Sequence, residues 1–299
     1  MNAKIVLVDS LDTRWKRFHL ELKNCRKNFS EEAVHDLRVA TRRLLALFDL
    51  LRSIIPHKRI QKIRRELKDH LDDLDELRDI QVLLADVSEF INDVPELAAA
   101  QERWLHEEKR LMRSTRKHVK AHDIKNLSKR IEKTREMIQN LPEENLVEQS
   151  LAAVDDAYAR VLQPYNFLDS ENIPGIHKLR IAFKKFRYSI EIIHPLLVEF
   201  PKTNFERLHD YQSRMGDIQD MEVARQKLTE LDPASQSGFT AASNHYDSRL
   251  RAAVLNFFED KGEALIFWRL SLINPFLGRI NHEPIPYPPC HCRRRVVFG

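Results

Sequence analysis

Val34-His35-Asp36-Leu37-Arg38-Val39-Ala40-Thr41-Arg42-Arg43-Leu44 and Ile176-His177-Lys178-Leu179-Arg180-Ile181-Ala182-Phe183-Lys184-Lys185-Phe186 carry one pattern twice, His177 answering to His35. Apolar, small and basic positions match in kind, except Thr41 against Phe183. A second pair follows in the same order at nearly the same offset. It is Leu74-Asp75-Glu76-Leu77-Arg78-Asp79-Ile80-Gln81-Val82 against Met215-Gly216-Asp217-Ile218-Gln219-Asp220-Met221-Glu222-Val223. Amphipathic helices share apolar spacing because they pack alike, but nothing in packing makes them share a histidine and its basic neighbours. Two motifs at one spacing therefore point to duplicated halves.

Winding the first motif as an α-helix, at about 100° per residue, separates two faces. Arg38, Arg42 and Arg43 fall within a quarter-turn of His35, while Leu37, Ala40, Leu44, Leu47 and Phe48 gather on the opposite side. The second copy presents His177, Arg180, Lys184, Lys185 and Arg187 in front of Phe183, Phe186 and Ile190. Composition agrees with a helical chain: 6 of 299 residues are glycine, against about 7% in average proteins, too few for the many tight turns of a sheet protein. The spacing predicts helices over about 10–29, 31–55, 58–92, 95–121, 123–140, 143–163, 174–194, 202–230 and 234–261. Ser30 caps the second of them, and Pro56, Pro95, Pro142, Pro164, Pro195, Pro201 and Pro233 serve as breakers. The expected fold is all-α, two pseudo-symmetric helical bundles from an internal duplication. Its halves are drawn at 1–141 and 142–262, with a Pro-rich tail over 263–299.

Lys and Arg number 49 against 45 Asp and Glu, a net charge of +4 that implies no polyanion by itself. The distribution says more. Residues 35–70 hold ten Lys or Arg, among them Lys58, Arg59, Lys62, Arg64, Arg65 and Lys68, against four Asp or Glu. Like charges packed this closely repel unless they share an anion, so two such faces brought together make a site for a multivalent anion. Arginine forks take phosphate oxygens bidentately, lysine acts as a point charge, and histidine adds a donor near neutral pH. Both histidines also lie near helix N-termini, where backbone amides favour an anion. A polyanion without bases fits better than RNA or DNA, since the motif arcs hold one aromatic, Tyr188, and lack the stacking platforms of nucleic-acid binders.

At these residues the chain resembles the CHAD family, the conserved histidine α-helical domain. That family's V-H-x-L-R-V-A-x-R-R pattern is met at 34–43 and, in second-half form, at 176–188; its L-G-x-x-R-D-x-D-V pattern is met at 74–82, with a relative at 215–223. The resemblance covers roughly residues 10–262. It implies that the two pseudo-symmetric bundles enclose a basic cleft or pore, an affinity for inorganic polyphosphate and association with polyphosphate granules. Carried over residue by residue, the polyphosphate-binding positions would be His35, Arg38, Arg42 and Arg43, then His177, Arg180, Lys184, Lys185 and Arg187; the basic stretch adds Lys62 and Arg65. The chain departs from the pattern at Asp75, where the family has glycine, at Gln81, where it has aspartate, and in the Lys184-Lys185 pair. The E-x-E-x-K mark of the triphosphate tunnel domain that often precedes this one does not occur, so a non-catalytic binder is expected.

Other chemistry is weaker. Asp72, Asp73 and Glu76, with Asp75 and Asp79, resemble the acidic helix of all-α prenyl-diphosphate enzymes, which hold magnesium diphosphate, but Asp217 and Asp220 match the required second acidic motif poorly. His118 and His122 share a helix face without the glutamate of a zinc-protease motif. Cys290, His291, Cys292 and His282 fall in the Pro-rich tail, and no metal, cofactor or catalytic set is assigned. A helical scaffold would show unbroken heptads, whereas prolines interrupt this chain. The opening, Met1 to Asp9, does not read as a signal peptide, no apolar run is long enough for a membrane helix, and three cysteines make no disulfide framework. A cytoplasmic protein is expected.

Overall fold

The computed structural model describes residues 2–197, 200–231 and 239–268. Among them there is no strand, and the helices are α1 (Ala3–Lys27), α2 (Glu31–Ile54), α3 (Lys58–Phe90), α4 (Leu97–Ala121), α5 (Ile124–Gln139), α6 (Leu146–Tyr165), α7 (Ile173–Ile193), α8 (Thr203–Leu231) and α9 (Thr240–Asp260). No described helix is long and apolar enough to cross a membrane. The Cys290, His291, Cys292 and His282 group lies outside the described residues.

Most boundaries follow from local chemistry. The Ser30 hydroxyl accepts from the Ala33 amide at 3.2 Å, with Glu31 and Glu32 in the first turn, satisfying an orphan donor and the helix dipole together. At α7 the Asn172 side chain accepts from Gly175 N at 3.0 Å. Several ends differ from the sequence expectation: α6 begins at Leu146 rather than at 143, and α9 at Thr240 rather than at 234, where 232–238 lie outside the described residues. Helix α1 begins at Ala3 rather than at 10, because Asn2 caps it, accepting from Lys4 N and Ile5 N, and because Ala3, Val6, Leu7 and Leu11 form a buried stripe. Helix α6 runs through Pro164 to Tyr165. A proline in a last turn lacks only one amide bond, which a packed helix end tolerates.

Consecutive helices pack in turn in two runs: α1 on α2, α2 on α3, α3 on α4, then α6 on α7, α7 on α8, α8 on α9. Helix α5 lies against α1 and α3. The two runs meet where α2 packs on α6 and α7 and α3 packs on α8, and one continuous apolar core runs through both. The one mismatch in the repeated motif is explained there. Thr41 and Phe183 are both fully buried; Phe183 packs on Tyr211 at 4.8 Å and Phe267 at 5.6 Å, whereas Thr41 hydrogen-bonds the Leu37 carbonyl at 2.7 Å, the usual way a helical threonine satisfies a buried hydroxyl.

Packing also continues past residue 262. A 3-10 segment, Lys261–Ile266, follows α9 directly, and Ala264, Phe267 and Trp268 are buried. Buried tyrosines hold it: Tyr158 donates to the Ala264 carbonyl and Tyr211 to the Lys261 carbonyl, each at 3.0 Å. Between distant helices, Asp86 on α3 accepts from both terminal guanidinium nitrogens of Arg249 on α9, at 2.8 and 3.0 Å, and from Tyr246 at 2.7 Å.

A buried histidine packed on a half-buried one is expected to weaken the fold in acid. The rings of His70 and His122 lie 4.4 Å apart beside Phe18, and both Nε2 atoms are buried without a hydrogen-bond partner. Burial, then His122 and Arg26, hold His70 down to about 3; burial and Arg26 lower His122 as well. The unfolded chain, with histidine near 6.5, then takes up protons first, so stability is complete above about pH 6.5 and is lost as pH falls toward 3. Unfolding free energies from urea titrations between pH 7.5 and 4.5 should fall by up to about 1.4 kcal/mol per pH unit from His70 alone, and His70→Gln should flatten that slope. An unchanged slope in the variant would refute the assignment.

Candidate anion-binding site

Helices α2, α3, α7, α8 and α9 wall a cavity of about 790 Å³. Helix α2 contributes His35, Arg38 and Arg42, and α7 contributes His177, Arg180 and Lys184. The two copies of the motif, far apart in sequence, face one space because α2 and α7 pack together with their apolar sides turned into the core.

The other expected residues lie elsewhere. Arg43, about 100° round α2 from Arg42, lines a second cavity with Arg14, Arg17, Asp36, Glu191 and His194. Lys62 and Arg65, near the start of α3, line a third with Glu66, Asp69, His70 and Asp73. Lys185 is exposed and does not line the shared cavity. Arg187 is nearly buried and has internal partners: Glu191 at 2.8 Å, Gln212 at 2.9 Å, and the Tyr188 ring beneath its guanidinium at 4.7 Å. The acidic group of the enzyme alternative is divided. Asp72 pairs with Lys68 at 2.5 Å, Asp73 lines the third cavity, Glu76 is exposed, and only Asp75 and Asp79 reach the shared one.

The cavity also holds groups to which the sequence reading gave no place in it. Arg78 and the aspartates Asp75, Asp79, Asp217 and Asp220 come from the second motif, Arg249 and Asp86 from outside both. Their spacing was visible on α3 and α8, since Asp75 and Asp79 are four apart and Asp217 and Asp220 three apart, on one face. Arg249 had no such signal. It is positioned by Asp86 and by stacking over Phe90 at 4.2 Å.

Charges inside press on one another. Asp75 Oδ1 lies 2.5 Å from Arg38 Nε and 3.6 Å from Arg42 Nη2. Arg78 pairs with Glu31 at 2.7 Å. The His177 Nδ1 bonds the side-chain oxygen of Gln219. Burial, then Arg42, Arg180 and Arg38, pull the Lys184 ammonium from its usual 10.5 to about 6, with Asp75 opposing. Arg42 is lowered by burial and by Arg38, and His35 by burial and by Arg78. On the acidic side burial pushes Asp220 up to about 6 against the pull of Arg180, and Asp79 and Asp217 also rise. Burial and the three neighbouring arginines thus disfavour the Lys184 ammonium, and an anion entering beside it would favour the charged form. Among the described residues no group of three or more His, Cys, Asp or Glu is placed to hold a metal.

A family model described as the CHAD domain matches residues 10–229. Among solved structures, the crystal structure of the CHAD domain from the plant Ricinus communis superposes with a TM-score of 0.66 at 16% identity, covering 85% of this chain and 92% of that one. No functionally curated protein matches the sequence.

Proposed function

The chain belongs to the CHAD domain family, and from that premise we propose that it binds inorganic polyphosphate, without turning it over, in the cavity between α2 and α7. One observation supports this reading above the rest: His35, Arg38, Arg42, His177, Arg180 and Lys184, drawn from two motifs, meet around a single space. There burial, with the added repulsion of Arg42, Arg180 and Arg38, lowers Lys184 to about 6. Phosphate oxygens spaced along a flexible chain can pair with several of them at once. Orthophosphate can reach only a few. In this reading the halves are a duplication, the cavity is the mouth of a basic pore, and the protein is a cytoplasmic one that gathers at polyphosphate granules.

The test is a titration of the purified chain with long-chain polyphosphate, orthophosphate and single-stranded DNA at two salt concentrations. Long polyphosphate should bind at least about tenfold tighter than either competitor, with an affinity that falls steeply as salt rises. Equal affinity for the DNA would transfer the site to nucleic acids, and magnesium-dependent turnover of a prenyl diphosphate would restore the enzyme alternative.

A further inference from the structure

The two halves of the cavity largely correspond around the arginines, but Arg78 answers to Gln219, and a second difference bears on charge directly. Arg38 answers to Arg180 and Arg42 to Lys184, but Asp75 answers to Gly216. In the first half the Asp75 carboxylate sits 2.5 Å from Arg38 and 3.6 Å from Arg42. In the second half Arg180 has no ion pair among the described residues, and its Nε is buried without a hydrogen-bond partner. Asp220 and Asp79 are near enough to feel its charge but form no ion pair with it. Gly216 leaves the side of Arg180 open: a Cβ there would meet only Arg180 Nε, at 3.9 Å.

We propose that Asp75 is an internal counter-ion, so that a phosphate chain engages Arg180 and Lys184 first and reaches Arg38 and Arg42 only in competition with the Asp75 carboxylate. This rests on the polyphosphate reading above. Carboxylate and phosphate oxygens accept the same guanidinium hydrogens. With Asp75 on the Nε edge of Arg38, a phosphate must either take the remaining edge beside a like charge or push the carboxylate aside, and both lower the affinity of the first half. Asp75 thus sets which half of the site is open and limits the affinity of the whole.

The two halves allow a reciprocal exchange. Polyphosphate is titrated into the full chain at one pH and salt, with wild type, Asp75→Asn and Gly216→Asp side by side, and each is melted without ligand. Asp75→Asn should bind roughly tenfold tighter and melt lower, since Arg38 and Arg42 then face each other uncompensated. Gly216→Asp should bind roughly tenfold weaker and melt higher, because the new carboxylate supplies Arg180 with a partner and replaces a helical glycine. Should Asp75→Asn not fold, Gly216→Asp carries the test alone. Wild-type binding that Asp75→Asn leaves unchanged or weakens, or that Gly216→Asp leaves unchanged, refutes the counter-ion. Folded proteins none of which binds polyphosphate refute the polyphosphate reading and this proposal with it.

Discussion

Replacing Arg38 and Arg180 together by alanine is expected to weaken polyphosphate binding about 100-fold and to flatten its salt dependence, while alanine at Arg113 and Arg116 changes little. A charge-assisted hydrogen bond in a partly buried site contributes about 1.5–3 kcal/mol, and about 1.4 kcal/mol is a factor of ten. Two such contacts would reach beyond 100-fold, but Arg38 already shares its Nε with Asp75, so most of the loss should come from Arg180. Arg113 and Arg116 are exposed on α4, outside the cavity, where a screened charge contributes about 0–1 kcal/mol. The slope of log affinity against log salt should fall by about one for each phosphate contact removed, by analogy with nucleic acids. Circular dichroism and melting of both double variants separate lost binding from lost fold. Equal damage from the two pairs would mean that binding is spread over the surface, and the cavity would lose its special place.

Why these residues could be read from sequence, and others not, follows from what a helix encodes. Periodicity fixes the azimuth of each side chain, so His35, Arg38 and Arg42 were legible as one face, and Ser30 and Pro56 bounded their helix. Azimuth does not say which neighbour lies on that side. Arg43, one residue further round, meets α1 and the end of α7 instead of the shared cavity, a fact settled by the packing of α1 on α2 and by nothing in the motif. Arg187 shares the basic arc of α7 but lies about 15 Å along the axis from His177, where Glu191 and Gln212 take it. Asp75 was visible as a departure from the family's glycine. That it closes on Arg38 and Arg42 depends on how α3 lies across α2, a long-range contact that one stretch of sequence does not state. Arg249 comes from α9, outside both motifs, and its place is set by Asp86 on α3.

Affinity for polyphosphate is expected to rise as pH falls from 9 to 7, because the complex takes up a proton at Lys184. In the free protein burial and the neighbouring Arg42, Arg180 and Arg38 hold this lysine to about 6, so at pH 8 it is almost wholly neutral. A bound phosphate favours the ammonium and raises its pKa. Binding must then include protonation, which becomes less favourable as pH rises above 6 until the pKa of the complex is reached. The sign is therefore weaker binding at higher pH, by up to about tenfold per unit for one fully coupled group. Asp220, at about 6, and the raised Asp79 and Asp217 act in the same direction, since a neutral carboxyl repels phosphate less; their effect is confined to the acid end of the range. Lys184→Arg separates the contributions. Arginine keeps its charge throughout and occupies the position that Arg42 holds in the other half, so this variant should bind tighter than wild type at pH 8 and lose most of the slope between pH 7 and 9. Calorimetry at pH 8 in buffers of different ionisation enthalpy should show close to one proton taken up by wild type and almost none by Lys184→Arg. A wild-type affinity that is flat or rises with pH would mean that Lys184 lies outside the path of the anion, and the site would then rest on the arginines alone.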